Sequence, residues 1–468
     1  MLDTIKYFGD KRADALVGKN EVVVSPLYKH QQQTVKFAST IKRYADLSDM
    51  GTGKTRTQLQ YISDYHASYH DLKVLIIAPK SIILSSWIGD IEKFYPELSA
   101  VAVIGSKMEK LELLRKDATI YITNYETMNQ GIDFTVSGID YLVCDEAIKL
   151  KNPRAKWTKA ITELSRFVPS VALLSGLITP NNLLEVFGPF NIVAPGVLGK
   201  NFWQFREHYF TPDPYSFENR SWLPKKHTED RITDLLSPYI IRHTKAKCLD
   251  LPDKIHTKRS VEMTAKQRVN YNQMKKEAVL QLKDSSISAV NKATVIQKLA
   301  QISSGFIYDH EKKIHTFESA KVRELEDIIN GELANDQVLI FTNFKAETKL
   351  FREKYPEESF IYGGQSSNEQ IEDIEKFQNG DNRLMFASVA AAKYGLTFTN
   401  CHYVIYFSMN YSLDDFAQSQ DRIHRIGQQH NAQYIYLLSS KSIDEVIYKA
   451  LQTKKKLNDL IVELIESK

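Results

Sequence analysis

Asp49-Met50-Gly51-Thr52-Gly53-Lys54-Thr55 is the most informative run in the chain. A short apolar run from Tyr44 to Leu47 leads into it, and a helix-compatible segment begins at Arg56. Gly51 and Gly53 let the backbone curl around an oxyanion with its N–H groups turned inward. A helix beginning directly afterwards points its positive end at the same anion. Lys54 adds a point charge for the β- and γ-phosphates, and the Thr55 hydroxyl is placed to ligate Mg²⁺. The stretch predicts a nucleoside triphosphate site built from Asp49, Gly51, Thr52, Gly53, Lys54 and Thr55. The full G-x-x-x-x-G-K-T pattern has glycine at position 48, where this chain has Ser48.

A second site supports the first. Ile139-Asp140-Tyr141-Leu142-Val143-Cys144 is a mostly apolar run, as a buried parallel strand should be, and it ends in Asp145-Glu146. Ligands of open α/β sheets sit at the carboxyl ends of strands. Two adjacent carboxylates there divide the work: Asp145 holds Mg²⁺ through water, and Glu146 polarises the attacking water.

The chain has 468 residues, 43% hydrophobic and 25% charged, enough apolar material for two substantial cores. With 61 Lys+Arg against 57 Asp+Glu the net charge is only +4, so a basic surface must be local. The three cysteines, Cys144, Cys248 and Cys401, lie far apart, with neither metal-ligand spacing nor an even disulfide set. That usage fits a reducing compartment. The N-terminus reads as neither signal nor transit peptide, and no apolar run approaches the ~20 residues of a membrane span. The expected location is the cytosol, with no membrane association.

Short apolar strands alternate with helix-like segments twice along the chain, which predicts an α/β fold with parallel sheets and helices on both faces. The first set of strands is 73–78, 101–104, 119–123, 141–144 and 171–174. The second is 338–342, 359–362, 384–387, 403–407 and 434–438. Between them, dense aromatics and prolines from about 188 to 238 read as a helical and loop insertion. Helical patterning dominates at 266–282 and 291–302. An amphipathic helix at 443–467 carries the basic run Lys454-Lys455-Lys456.

Several further pieces resemble one family in order and spacing. Leu27-Tyr28-Lys29-His30-Gln31 resembles an adenine-reading segment. Ile77-Ala78-Pro79-Lys80 with Trp87, and Thr123-Asn124-Tyr125-Glu126, resemble segments that face a DNA backbone. Asp145 to Asn152 is similar to an acidic box with its tail. Pro195 to Gly199 and Ile241-Arg242-His243-Thr244-Lys245 resemble linker elements. Val338 to Thr342, Tyr362-Gly363-Gly364 and, above all, Gln418-Ser419-Gln420-Asp421-Arg422-Ile423-His424-Arg425-Ile426-Gly427-Gln428 complete the set. Across roughly residues 25 to 455 the chain resembles the Swi/Snf-type ATPases of helicase superfamily two.

The resemblance implies two RecA-like domains. Residues 1–245 would bind ATP, with the insertion at about 188–238. Residues 246–468 would form the second domain, with a helical insertion at about 265–305 and a C-terminal helix. It implies ATP and Mg²⁺ as cofactors, with Gln31 and Gln418 joining the nucleotide site. Gln418, Arg422 and Arg425, spaced i, i+4 and i+7, are expected on one face of a helix. From there the arginines would stabilise charge on a transferring phosphoryl group across the cleft from Lys54 and Glu146. Lys80, Thr123, Asn124, Thr342, Asn343 and Ser388 are the implied DNA contacts.

The departures are specific. Ile148 and Leu177 replace a polar link between the acidic box and the third motif, and are expected to pack together instead. Ala391-Ala392-Lys393-Tyr394 stands where a glycine-rich turn is expected, and Gln370 replaces an arginine. The function expected is an ATP-dependent translocase or helicase on duplex, forked or junction DNA. Its implied actions are branch migration, fork remodelling or limited unwinding, by a monomer with replication or recombination proteins as partners. The alternatives are the motor subunit of a restriction or defence complex, and an ATP-switched DNA-binding scaffold.

Overall fold

The computed structural model describes residues 26–453, apart from 135–137, 177–181, 214–221, 284–288, 310, 312 and 393–395. The first sheet contains β1 (Arg43–Asp46), β2 (Val74–Ala78), β3 (Ala100–Ala102), β4 (Ile120–Asn124), β5 (Tyr141–Asp145) and β6 (Ser170–Leu174). A small antiparallel hairpin, β7 (Phe210–Pro212) and β8 (Trp222–Pro224), follows within the aromatic insertion, and β9 (Ile240–Ile241) returns to the sheet. The second sheet takes β10 (Lys254–Val261). A hairpin of β11 (Phe306–Tyr308) and β12 (Ile314–Thr316) intervenes. Then come β13 (Val338–Thr342), β14 (Ser359–Ile361), β15 (Leu384–Ser388), β16 (Tyr403–Tyr406) and β17 (Ala432–Ser439).

The strand orders are β3-β4-β2-β5-β6-β1-β9 and β10-β17-β16-β13-β15-β14, and the pairings within both are parallel. These are two RecA-like domains.

Each sheet is buried on both faces, and successive residues explain how. In β2, Leu75 and Ile77 enter one core, while Val74, Ile76 and Ala78 enter the other. In β13, Leu339 and Phe341 face one way and Val338 and Ile340 the opposite way. Burying each such side chain contributes about 1.5–3 kcal/mol, so a parallel strand needs apolar residues without alternation. Where the chain must pass closely over the acidic box, it uses glycine. A Cβ on Gly188 would lie 2.1 Å from the Leu150 carbonyl oxygen.

The sequence reading missed β9 and β10 and the two short hairpins, β7–β8 and β11–β12. β10 is an edge strand whose residues from Ile255 to Lys258 are exposed, so burial wrote no apolar pattern into it. Of the C-terminal helix, Ile443–Thr453 is described; the basic run at 454–456 lies outside the described residues. Among the described residues, no helix is long and apolar enough to cross a membrane.

Candidate active site

The phosphate loop leaves the carboxyl end of β1 and enters the helix Lys54–Ser68. Gly51 and Gly53 have φ of +76° and +85°, backbone that side-chained residues rarely adopt. At both positions a Cβ would meet a neighbour at close range. At Gly53 it would lie 2.2 Å from Gln31 Nε2, and at Gly51 it would lie 3.0 Å from Arg425 Cβ. Gln31 Nε2 donates to the Thr52 carbonyl at 3.1 Å, while its Oε1 accepts the Tyr28 N–H at 3.0 Å. The adenine-reading segment is therefore tied directly to the loop. Lys54 Nζ donates to the Ser48 and Asp49 carbonyls at 2.7 and 3.2 Å, folded back onto its own loop. Thr55 is the second residue of the helix.

Ser48 has a local role. Its Oγ accepts the His243 backbone N–H at 3.0 Å, and the Asp49 carboxylate accepts that of Lys245 at 3.0 Å. Leu47 and Asp49 in turn donate their N–H groups to the Ile241 and His243 carbonyls at 2.8 and 2.9 Å. The segment after β9 thus runs along the loop as a strap.

β5 delivers Asp145 to the same end of the sheet, with β6 between β5 and β1. Asp145 is buried, and burial holds its carboxyl above the usual carboxylate range, against the opposing effects of Trp87 and Lys54. Its Oδ2 accepts the indole N–H of Trp87 at 3.0 Å, its Oδ1 accepts the Glu146 N–H at 2.9 Å, and its carbonyl accepts the Tyr125 hydroxyl at 2.7 Å. Glu146 has φ 51° and ψ 52°, a left-handed conformation for a residue with a side chain. Such strain clusters at functional sites. Among the described residues, no group of three or more His, Cys, Asp or Glu is placed to hold a metal ion. Mg²⁺ fits here only as Mg²⁺ is usually held, by one carboxylate and a hydroxyl completed by phosphate oxygens and water. Asp145 and Thr55 are the residues that would supply that pair.

The second domain closes over this site. The helix Leu413–Gln420 ends one residue before Asp421, so the three residues expected on one helical face are not on one helix. Arg422 and Arg425 lie in the turn beyond it. That turn is bound to the chain through Leu396: Arg422 Nη1 donates to its carbonyl at 3.0 Å, and Arg425 Nη1 donates to it at 3.4 Å and to Thr397 Oγ1 at 2.7 Å. Arg422 Nε donates to the carbonyl of the buried Gln418 at 2.9 Å. Both arginines are brought together despite the helix break. Burial lowers both guanidinium pKa values, pushing Arg422 to about 10, and Arg422 senses the charge of Glu146 across the cleft. Arg425 faces Asp90, whose carboxyl burial raises to about 6.

The residues expected to contact DNA separate into two groups. Lys80 is exposed, and Asn124, Asn343 and Ser388 are half-buried at strand ends. Thr123 and Thr342 are buried, which corrects their assignment. The Thr123 hydroxyl lies 2.9 Å from both the Val103 carbonyl and Thr127 Oγ1, sharing its one proton between them, so it fixes the strand end from inside. Ile148 sits in the turn Ala147–Leu150, while Leu177, its expected packing partner, lies outside the described residues. Sequence reasoning gave no role to the indole N–H of Trp87 on Asp145, to Asp90, or to the ion pair of Lys245 with Asp421. Each depends on a partner remote in sequence.

A family model described as the SNF2-related domain matches residues 30–305, more than half of the chain. One described as the helicase conserved C-terminal domain matches residues 320–427. A protein designated p41 from Acyrthosiphon pisum secondary endosymbiont phage 1 is 26% identical over 94% of this chain and 98% of its own length. A Bacillus subtilis protein named as an ATP-dependent helicase/translocase is 26% identical over 89% of this chain and 46% of its own. The DNA repair and recombination protein RAD54-like of Gallus gallus is 25% identical over 94% of this chain and 69% of its own. The chain spans nearly the whole of the phage relative and under half of the bacterial one. It belongs to the SNF2-related family of helicase superfamily two.

Proposed function

We propose that the chain is an ATP-driven translocase or helicase that moves along duplex DNA and acts on duplexes, forks or junctions. The observation that carries this reading is the seating of the arginine turn on the phosphate loop. Arg425 packs against Gly51 so closely that a Cβ there would lie 3.0 Å from Arg425 Cβ. Two domains that must touch to complete one site couple chemistry to their relative motion. The printed names of the relatives, helicase/translocase and DNA repair and recombination, support duplex DNA as the track.

In this reading the loop N–H groups and Lys54 hold the β- and γ-phosphates, and Gln31 fixes the base end. Glu146 orients and deprotonates water from its strained backbone position. Arg422 and Arg425 stabilise charge developing on the transferred group, acting from a desolvated turn where that interaction is strong. Mg²⁺, when bound, neutralises phosphate charge, with Asp145 and the Thr55 hydroxyl holding it. Lys80, Asn124, Asn343 and Ser388 lie at or just beyond carboxyl ends of parallel strands, where polar side chains can follow phosphates without reading bases.

The test is the ATPase rate measured side by side on single-stranded, duplex, forked and four-way DNA. A motor on duplex DNA is strongly stimulated by duplex, and a preference for forks or four-way junctions selects among branch migration, remodelling and unwinding. Weak turnover indifferent to every DNA overturns the proposal in favour of an ATP-switched scaffold.

A further inference from the structure

The strap along the phosphate loop ends in a lysine with three simultaneous attachments. The Lys245 backbone N–H donates to the Asp49 carboxylate at 3.0 Å. Its ammonium pairs with Asp421 at 2.7 Å and donates to the His424 carbonyl at 2.8 Å. The ammonium therefore belongs to the linker by sequence and to the arginine turn by contact. It also overhangs the loop: a Cβ on Gly51 would lie 3.4 Å from Lys245 Cε and 3.5 Å from its Nζ. Gly51 is flanked from outside the loop by the Lys245 ammonium and by the Cβ of Arg425. Asp421 has a second cation in reserve, since Lys254 Nζ stands 3.5 Å away. His424 is held from the same segment, its Nε2 lying 2.8 Å from the Pro252 carbonyl.

We propose that Lys245 is a second phosphate-binding lysine, shared in turn between Asp421 and the γ-phosphate of the bound nucleotide. This rests on the reading of residues 49–55 as the ATP site. Without nucleotide, Lys245 neutralises Asp421 and ties the arginine turn to the loop. When a γ-phosphate arrives over Gly51, the ammonium turns to it, a short movement because Nζ already hangs there. Asp421 then falls to Lys254, and the turn carrying Arg422 and Arg425, no longer tied through Asp421, is free to turn its guanidinium groups toward the phosphate. A diphosphate, which does not reach as far along the loop, leaves the Lys245–Asp421 pair intact. The ammonium is poised for this exchange: burial pushes its pKa down to about 8, with Asp421 opposing the fall and Lys254 and Arg425 adding to it. An added anion relieves that cost.

The experiment is equilibrium binding of ADP and of a non-hydrolysable ATP analogue, with Mg²⁺, to the full chain and to K245Q, K245R, D421N and K54A. K245Q should weaken the analogue by about tenfold or more, the scale of one charge-assisted hydrogen bond, and leave ADP nearly unchanged. K245R should recover part of the loss. D421N should move the other way and tighten the analogue, because Lys245 has lost its competitor. D421N retains the lysine, so its prediction stands even where K245Q folds poorly. Equal weakening of ADP and analogue by K245Q, or shifts of the same sign in K245Q and D421N, would overturn the proposal and leave Lys245 as an interdomain tie only. If K54A binds both nucleotides as the parent does, the ATP-site reading itself has failed.

Discussion

The two halves of the molecule park their phosphate-directed cations differently, although both rest them on main-chain carbonyls. In the first half Lys54 folds onto Ser48 and Asp49, carbonyls of its own loop, and remains half-buried. In the second half Arg422 and Arg425 reach 26 and 29 residues back to Leu396; Arg422 is buried, Arg425 half-buried, and burial lowers both guanidinium pKa values. A cation on its own loop swings to a ligand at little cost. A desolvated pair pinned by a distant segment is expensive to hold and gains most when a phosphate arrives. In the proposed reading the first half would supply binding and the second the interaction reserved for the transition state.

Breaking the second half should produce the largest effect. Arg422→Ala should cost turnover ~3–5 powers of ten, the scale of a lost arginine finger, while barely changing ATP affinity. Steady-state kinetics with and without duplex check this, and an Arg422→Ala protein still stimulated to the parental level would place the turn outside the active site. Because Arg422 also bonds Gln418 and Leu396, thermal unfolding of the variant should be measured alongside.

Within the first half, Glu146→Gln keeps shape and hydrogen bonding and removes only the base. Turnover should fall ~2–4 powers of ten, with nucleotide and DNA binding intact. Loss of binding together with turnover would make Glu146 a structural residue and its left-handed backbone a packing feature.

A smaller effect sharpens how rigid the first half is. Trp87→Phe removes the donor to Asp145 Oδ2 without removing the ring that fills the core. One buried hydrogen bond to a carboxylate is worth about 1–3 kcal/mol, so the melting temperature should drop by several degrees and half-maximal activity should need more Mg²⁺. Unchanged values on both readouts would show that Asp145 needs no orienting partner.

Legibility in the sequence follows the same division. Phosphate loop, acidic box and both sets of strands could be read because local chemistry dictates them: glycines where φ is positive, apolar runs where a sheet is covered on both faces. The arginine turn could be identified but not shaped. Spacing of i, i+4 and i+7 suggests one helical face, yet the helix stops at Gln420 and tertiary bonds to Leu396 bring the arginines together instead. Thr123 and Thr342 looked available because threonine at a strand end often is, and burial is a tertiary fact. The strap from Ser48 to His243 and from Asp49 to Lys245 joins residues nearly two hundred positions apart, and no periodicity records it.

The smallest expected effect compares the two halves as DNA surfaces. The first offers a charge, the exposed Lys80 beyond β2; the second offers neutral groups, Asn343 after β13 and Ser388 at the end of β15. A phosphate contact by lysine releases a condensed counterion, and a neutral hydrogen bond does not. Lys80→Ala should therefore lower the slope of log affinity against log salt by about one, weakening all duplex sequences alike by a few-fold at moderate salt. Ser388→Ala should weaken binding by less and leave the slope where it was. Measuring both variants on one duplex from low to moderate salt separates the outcomes. If Ser388→Ala changes the slope as much as Lys80→Ala does, the second half brings charge to the DNA by another route, and the division between a charged and a neutral track is wrong.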